Sequence, residues 1–258
     1  MEGKLLDYRT HGGGGLLTVQ ERIQQFNQEN APFYLVDHDG KNFSLCLALS
    51  FLPDKYEDFG QAAFNRYAEE VGDPITERGF YTHGNGYEWE EVFKKAFESD
   101  PSLSKIRFDC EAGGFFCNAD DLSVLEDMGK RFREVCMDEP KFVELTVTAL
   151  KEAAIREAQE KEMLKTVRGF LTLNPKATID LLTEEGHIRL NPEQTQALLQ
   201  SPYIKIVDSN TGVATQYLAS EILDQKIVFK HALNFGEEHY TIIAEQQGYD
   251  EPGMDMSM

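Results

Sequence analysis

Gly79-Phe-Tyr-Thr-His-Gly-Asn-Gly-Tyr-Glu-Trp-Glu-Glu-Val92 is the stretch that decides the fold of the first half of this chain. It places a glycine-rich turn directly before an acidic, amphipathic segment. Apolar residues recur there at helical spacing, and Asp100-Pro101 ends the pattern; they are Trp89, Val92, Phe93 and Phe97. We predict a helix over residues 88 to 99 that buries Trp89. We also expect the two glycines, Gly84 and Gly86, to adopt backbone angles that are closed to other residues, so that Tyr87 and Trp89 enter the packing.

Two hairpins flank this helix in the sequence. The first joins Phe33–Asp37 to Asn42–Phe51, where the alternation of apolar residues assigns one face of the strand to a core. The second joins Lys105–Asp109 to Phe115–Asn118. Further helices are predicted after Thr18, over 54 to 71, after Asp120 or Asp121, and from Pro140, beyond which neither glycine nor proline occurs before Gly169. The fold class is therefore α+β: an antiparallel sheet from two hairpins with packed helices, a long connecting helix and a smaller C-terminal α+β region.

The C-terminal region is predicted from shorter patterns. Two short helices are expected at 175 to 185 and 192 to 200, separated by a turn about Gly186. A third hairpin is expected from 203–207 and 213–218, and a last strand at 240 to 244. Residues 219 to 235 could be helix or strand, and a helix followed by a strand is favoured. The domain organisation that follows is a flexible arm at 1–17, which contains His11 and the four consecutive glycines after it, one domain at 18–155, a smaller one at 156–247 and a disordered tail at 248–258.

Charge and composition limit the partners. The 258 residues include 45 acidic and 25 basic side chains, which gives a formal net charge of −20. Such a field repels nucleic acid and anionic membrane and attracts basic proteins. The chain has no apolar run near the roughly 20 residues of a membrane helix and lacks the basic, then apolar, start of a signal peptide. We expect a soluble, cytoplasmic protein whose four cysteines are buried and reduced.

Motifs that would indicate catalysis or a cofactor are missing from the sequence. His11-Gly-Gly-Gly14 has the letters of an esterase oxyanion loop, but no Gly-x-Ser-x-Gly follows it. There is no phosphate-binding loop and no zinc spacing, and the glycine after Asp37-His-Asp39 comes too early for a calcium loop. The sequence predicts no catalytic set, no metal and no cofactor, although a metal site assembled only in three dimensions stays open.

Carboxylates are dense around Trp89 and the second hairpin. They are either a solvated surface or part of a protein-binding surface in which tyrosines supply anchors beside the charges. If they form a binding surface, the predicted contact residues are Tyr81, Tyr87, Glu88, Glu90, Glu91, Asp109, Glu111, Asp120 and Asp121. A structural motif would support them, formed by Gly84, Asn85, Gly86, Trp89 and Gly113. Trp89 is expected in the core rather than in an interface.

The pattern Gly84-Asn-Gly-Tyr-x-Trp89 with its following helix, and Phe108-Asp-x-Glu-Ala-Gly113 with the helix after it, resembles the immunity protein 51 family over residues about 20 to 150. The resemblance implies a small intracellular bacterial protein, without enzymatic activity, that binds a toxin and blocks its active site or substrate groove. The toxin would present a basic cleft. The region after residue 155 departs from the family pattern, so it could be a sensor, an oligomerisation unit or a second binding arm.

Two other functions stay open at this stage. The first is an anti-defence inhibitor from a phage or mobile element, which mimics DNA to block a restriction or CRISPR nuclease. It would need carboxylates along one face at phosphate-like spacing. The second is an enzyme without a recognisable motif, which would need a deep pocket lined by converging polar groups.

Overall fold

The structure is a computed structural model that describes residues 17–184, 186–207, 211–234 and 238–245. The predicted glycine-rich arm up to residue 16 and the predicted disordered tail lie outside these residues. The chain divides into two compact units, Met1–Ala153 and Ala154–Met258. Within the described residues, no helix is both long enough and apolar enough to cross a bilayer.

The first unit combines helices with a four-stranded sheet. Its elements in chain order are α1 (Val19–Glu29), β1 (Tyr34–His38), β2 (Asn42–Leu47), α2 (Gln61–Val71), β3 (Thr76–Glu77), β4 (Phe80–Tyr81), α3 (Gly86–Ala96), β5 (Arg107–Phe108), β6 (Phe115–Ala119) and α4 (Leu122–Met137). Short 3-10 helices occur at Leu49–Phe51, Asp54–Tyr56 and Pro101–Lys105. The helix α5 (Glu139–Met163) begins in this unit and confirms the uninterrupted helix predicted from Pro140.

The sheet of the first unit has the strand order β1-β2-β6-β5, and all its pairings are antiparallel. The two predicted hairpins thus meet through β2 and β6, where Leu45 lies opposite Cys117. Phe43, Leu45 and Leu47 of β2 are buried, as their alternation predicted. They pack with the apolar faces of the helices into one core that is rich in aromatic rings. The helix starts also follow the sequence: Thr18 forms a capping box with Glu21, and Asp121 caps α4.

The second unit has its own core and sheets. It contains α6 (Val167–Leu173), β7 (Thr178–Thr183), β8 (Gly186–Leu190), α7 (Pro192–Gln200), β9 (Tyr203–Val207), β10 (Ala214–Leu218), α8 (Ala219–Leu223), β11 (Lys226–Asn234) and β12 (Glu238–Glu245). One sheet has the order β11-β12-β7-β8, in which β12 and β7 run parallel, and β9 pairs with β10 in a second. The α+β class predicted from the sequence is confirmed.

One prediction for the second unit is wrong. Residues 175 to 185 were expected to be helical, with a turn about Gly186, yet Thr178–Thr183 form β7 and Gly186–Leu190 form β8. The reason is tertiary: Ile179 and Leu181 are both fully buried on one face of the strand, which pairs with β12 and β8 at the centre of the sheet. The predicted helix at 192 to 200, the third hairpin and the helix followed by a strand are present as α7, β9 with β10, and α8 with β11.

Candidate functional site

The start of α3 is fixed by a complete capping box. The Asn85 side chain accepts hydrogen bonds from the backbone N–H groups of Tyr87 (3.0 Å) and Glu88 (3.2 Å). In return, Glu88 Oε2 accepts from the backbone N–H of Gly84 (2.5 Å) and of Asn85 (3.1 Å). These bonds satisfy donors that a helix start leaves without partners, and a carboxylate there also suits the helix dipole. Glu88 therefore has a structural role in the site.

Gly86 joins the two motifs of the sequence in space. A Cβ atom at this position would lie 1.9 Å from the carbonyl oxygen of Gly114 and 2.3 Å from that of Glu111. The start of α3 thus packs directly on the turn between β5 and β6, where Glu111 and Gly114 bond each other's backbone. The sequence predicted unusual backbone angles for both glycines. Gly84 has a positive φ of 107°, but Gly86 is required because no side chain fits.

Trp89 lies in the core, as predicted, and is 1% exposed. Its ring stacks on Phe59 and Phe142 at centroid distances of 5.9 and 5.3 Å. The chain comes so close at Gly60 that a Cβ there would lie 2.7 Å from the indole. Trp89 therefore anchors α3 and cannot contact a partner.

A histidine links the start of α3 to the segment before it. His83 Nδ1 lies 2.6 Å from Glu88 Oε1, its Nε2 lies 3.2 Å from Asp73 Oδ2, and its ring packs edge-on against Tyr67. Burial alone would lower the pKa of His83, but the hydrogen bonds and charges of Glu88 and Asp73 outweigh it and raise the pKa. His83 is therefore held as a cation between two carboxylates more readily than a free histidine.

The other acids of α3 are paired with a lysine. Lys94 Nζ lies 2.5 Å from Glu90 and 3.5 Å from Glu91, and it also sits over the ring of Phe108. Burial alone would lower the pKa of Lys94, but the carboxylates of Glu90 and Glu91 raise it. Nearby, burial raises the pKa of the Cys110 thiol to about 12. The charges of Glu90 and Glu91 are therefore partly compensated by Lys94, and Cys110 is not a reactive thiolate.

The remaining predicted contact residues lie in three places. Tyr87, Asp109 and Glu111 are exposed around the contact between α3 and the β5–β6 turn. Tyr81 is half-exposed on β4, and its hydroxyl donates to Asp58 at 2.9 Å. Asp120 and Asp121 lie at the opposite end of β6, about 17 Å along the strand at roughly 3.3 Å per residue. There Asp120 pairs with Arg107 and Asp121 caps α4. The structure does not bring these two aspartates to the start of α3.

Two exposed aromatic residues near this region were missed by the sequence reasoning. Phe51 is 85% exposed and Phe80 is 77% exposed. The alternation in residues 42 to 51 had assigned Phe51 to a strand. That strand ends at Leu47, and the following 3-10 helix turns the ring outward. Phe80 lies in the β3–β4 hairpin, for which no strand was predicted from the sequence. The aromatic and β-branched residues on both sides of Arg78-Gly79 were the available signal.

Among the described residues, no arrangement forms an activated nucleophile or a metal site. His38 Nε2 lies 2.7 Å from Ser44 Oγ, but the serine donates its proton to Asn118 Oδ1, so the imidazole is no base for it. The described part of the chain also holds no cluster of three or more His, Cys, Asp or Glu side chains arranged for a metal ion.

The second unit contains a separate polar cluster on one face of its larger sheet. The Asp180 carboxylate on β7 accepts hydrogen bonds from Arg189 Nε (2.7 Å) and Nη2 (2.9 Å). His239 Nε2 and His187 Nε2 lie 2.9 and 3.2 Å from the same carboxylate. The bonds from Arg189, opposed by burial and helped by the two histidines, lower the pKa of Asp180 well below its usual range. The cluster holds three neighbouring strands together.

Together, the fold and site define an α+β protein with exposed aromatic and acidic side chains around a rigid turn. The family model described as Immunity protein 51 matches residues 33–151, which supports the family that the motifs of this segment predicted. The match ends close to the boundary of the first unit at Ala153. No curated protein and no solved structure matches the chain.

Proposed function

We propose that this protein is a cytoplasmic immunity protein that binds a bacterial toxin and occludes its active site or substrate groove, without chemistry of its own. The family match over 33–151 carries this proposal. The described residues support a binding role because their exposed aromatic and acidic side chains gather around a rigid helix start. Such a combination supplies both the apolar anchors and the complementary charge that tight interfaces use.

The proposed toxin-facing surface consists of Phe51, Tyr87, Asp109 and Glu111. Ser50 N–H donates to the Gly113 carbonyl at 3.1 Å, and Gly114 touches Gly86. Phe51 and Tyr87 therefore lie on either side of the turn that carries Glu111. We include Asp109 and Glu111 because their side chains are exposed and do not cap a helix. Glu88, Glu90 and Glu91 act behind this surface by fixing α3 and its lysine.

The charge pattern favours an immunity role over DNA mimicry. Many carboxylates of the first unit form ion pairs with nearby cations, among them Glu70 with Lys151 (2.6 Å) and Asp100 with Arg131 (2.5 Å). A DNA mimic needs an unbroken row of negative charge, which such pairs interrupt. A local acidic patch suits a basic cleft on a toxin, where opposite charges accelerate association and salt weakens it.

A charge-reversal experiment tests the proposed surface. Each protein encoded by a gene adjacent to this one serves as a candidate toxin, made catalytically inactive where it is an enzyme, and its binding to the full chain is measured by surface plasmon resonance at two salt concentrations. We expect Glu111→Lys to lower the affinity at least about tenfold, mainly by slowing association. Raised salt should weaken binding of the unaltered chain.

The matched control is Glu134→Lys, which makes the same change at an exposed position of α4 and should alter affinity by less than about twofold. Glu88 is avoided because its reversal would disrupt the capping box. If the unaltered chain neither binds the toxin nor protects cells that express its active form, the immunity role is wrong. If binding occurs and Glu111→Lys behaves as the control does, the role stands and this surface is wrong.

A further inference from the structure

The β3–β4 hairpin is exposed along its whole length. Every residue from Glu69 to Tyr81 is exposed to solvent. The two strands pair only with each other in the described part of the chain, as Thr76 with Tyr81 and Glu77 with Phe80. A hairpin of two strands is marginally stable in water by itself. Its persistence here requires support from its base.

That support is a set of hydrogen bonds at the base of the hairpin. Thr82 N–H donates to the Ile75 carbonyl at 3.1 Å, and the Tyr81 hydroxyl donates to Asp58 at 2.9 Å. His83 bridges Asp73 and Glu88, while Gln61 Nε2 donates to the His83 carbonyl at 2.9 Å. The hairpin is therefore tied to α2 and α3 at one end only, and its tip is free of the core.

The tip of the hairpin has two features that its own stability does not require: an arginine in the left-handed region and an exposed phenylalanine. Arg78 and Gly79 have φ angles of 54° and 84°, as the tight type I′ turn demands. A left-handed arginine is unfavourable compared with asparagine or glycine, and such strain persists mainly where a structure uses it. Directly after the turn, Phe80 exposes 77% of its surface. Among phenylalanines whose side chains the structure describes, only Phe51 is more exposed.

Carboxylates outnumber cations on the hairpin and the segments that adjoin it. Glu77 lies opposite Phe80, and Asp73, Glu57 and Glu69 are exposed near the base or on the adjoining segments. Arg78 is the cation at the tip itself. A projecting aromatic ring bordered by carboxylates fits a concave site with an apolar floor and a positively charged rim.

We propose that the β3–β4 hairpin is a preorganised finger that inserts Phe80 into a concave, positively charged cleft of the partner protein. This inference rests on the proposed immunity function and names the segment that would occlude the cleft. The finger is ordered before binding by the bonds at its base, so little conformational entropy is lost when it inserts. The surface formed by Phe51, Tyr87, Asp109 and Glu111 then contacts the rim of the cleft.

The experiment compares side chains on the hairpin with a matched aromatic position elsewhere. The probe is again the inactive candidate toxin from the adjacent genes, and its affinity for the full chain is measured by calorimetry. We expect Phe80→Ala to lower the affinity about 30-fold or more, as loss of a central anchor does. Phe80→Tyr should stay within about threefold, because a ring still fills the pocket. The control is Tyr203→Ala, which removes an aromatic ring that is 52% exposed on β9 and should leave the affinity unchanged.

Two further readouts separate the possible failures. Glu77→Lys should slow association if the cleft is positive, and faster association would overturn that part of the proposal. Unchanged affinity of Phe80→Ala, in a chain that binds the toxin, would overturn the finger while leaving the immunity role intact. A chain without any affinity for the toxin would overturn both. Since Phe80 is exposed, the melting temperature of Phe80→Ala should match that of the unaltered chain, so a lost affinity reports the interface and not unfolding.

Discussion

The start of α3 in the first unit and the sheet face around Asp180 in the second unit both pair a carboxylate with histidine, with one histidine at Glu88 and two at Asp180, but for different purposes. Glu88 satisfies backbone donors of its own helix and holds His83, which is only five residues away. Asp180 is held by side chains from two other strands, including His239, which is 59 residues distant. A carboxylate in this acidic chain can therefore stabilise the fold in two ways. It can cap the start of its own helix, or it can hold together strands that are remote in the sequence.

The largest expected effect concerns the contact that fixes the first region. Gly86→Ala places a methyl group 1.9 Å from the Gly114 carbonyl, where backbone leaves no room to yield. We expect the free energy of unfolding to fall by about 3 kcal/mol. Urea denaturation followed by the fluorescence of Trp89, which lies in the same core, measures this loss.

Gly113→Ala is the matched comparison for Gly86→Ala. Its added methyl group would approach Ser50 Oγ at 2.8 Å, and that hydroxyl can rotate away. The loss should stay below about 1 kcal/mol. Equal losses for the two variants would show that the close contact of α3 with the turn is not what fixes this region.

A smaller effect is expected from the second region. Asp180→Asn removes a buried charge with several hydrogen bonds and should cost about 2 to 3 kcal/mol near neutral pH. Because the pKa of Asp180 is lowered on folding, its contribution is present above the unfolded pKa of about 3.9 and is lost as the pH falls toward the folded value. Hydrogen exchange of the β7, β8 and β12 peptides should show the weakening at neutral pH.

The control for this cluster is Asp224→Asn. Asp224 pairs with Arg168 at 2.8 Å, but their side chains are 59% and 43% exposed. An exposed pair contributes little, so the change should stay within about 0.5 kcal/mol. If both variants cost the same, the Asp180 cluster does not join the strands as described.

The smallest effect depends on pH and comes from His83. The pKa of His83 is raised in the folded chain, because Glu88 and Asp73 outweigh the opposing effect of burial. Its ionic contribution is therefore complete below the unfolded pKa of about 6.5 and disappears as the pH rises through the folded value. We expect His83→Gln to destabilise the chain more at about pH 5.5 than at about pH 8.5.

Denaturation midpoints across that pH range measure the His83 effect, and Asp73→Asn should flatten part of the profile by removing one of the two carboxylates. A destabilisation by His83→Gln that is the same at every pH would mean that the histidine acts only through packing. In that case the ionic contacts of His83 with Glu88 and Asp73 would make no measurable contribution to the stability of the first region.

The sequence predicted much of the first region because its signals are local. Trp89, Val92 and Phe93 recur at helical spacing, and this predicted both α3 and the face that it buries. The Asn85–Glu88 capping box is equally local, but it was not predicted, and the helix begins at Gly86 instead of residue 88. The same local signals failed for Phe51, whose alternation continued a strand that ends at Leu47. They also failed for residues 175 to 185, where pairing on both sides of β7 overrides a helix-like pattern.

Patterns within a few positions of the sequence were enough to predict the α+β class, the capped helix starts at Thr18 and Asp121, the burial of Trp89 and the match of residues 33–151 to the immunity protein family. Each depends on neighbours close in the sequence, so pattern and spacing suffice. The contact of Gly86 with the β5–β6 turn and the meeting of Asp180 with His239 were visible only in the folded chain. Those contacts depend on which remote segments pack together, and the sequence order does not specify the distance between them.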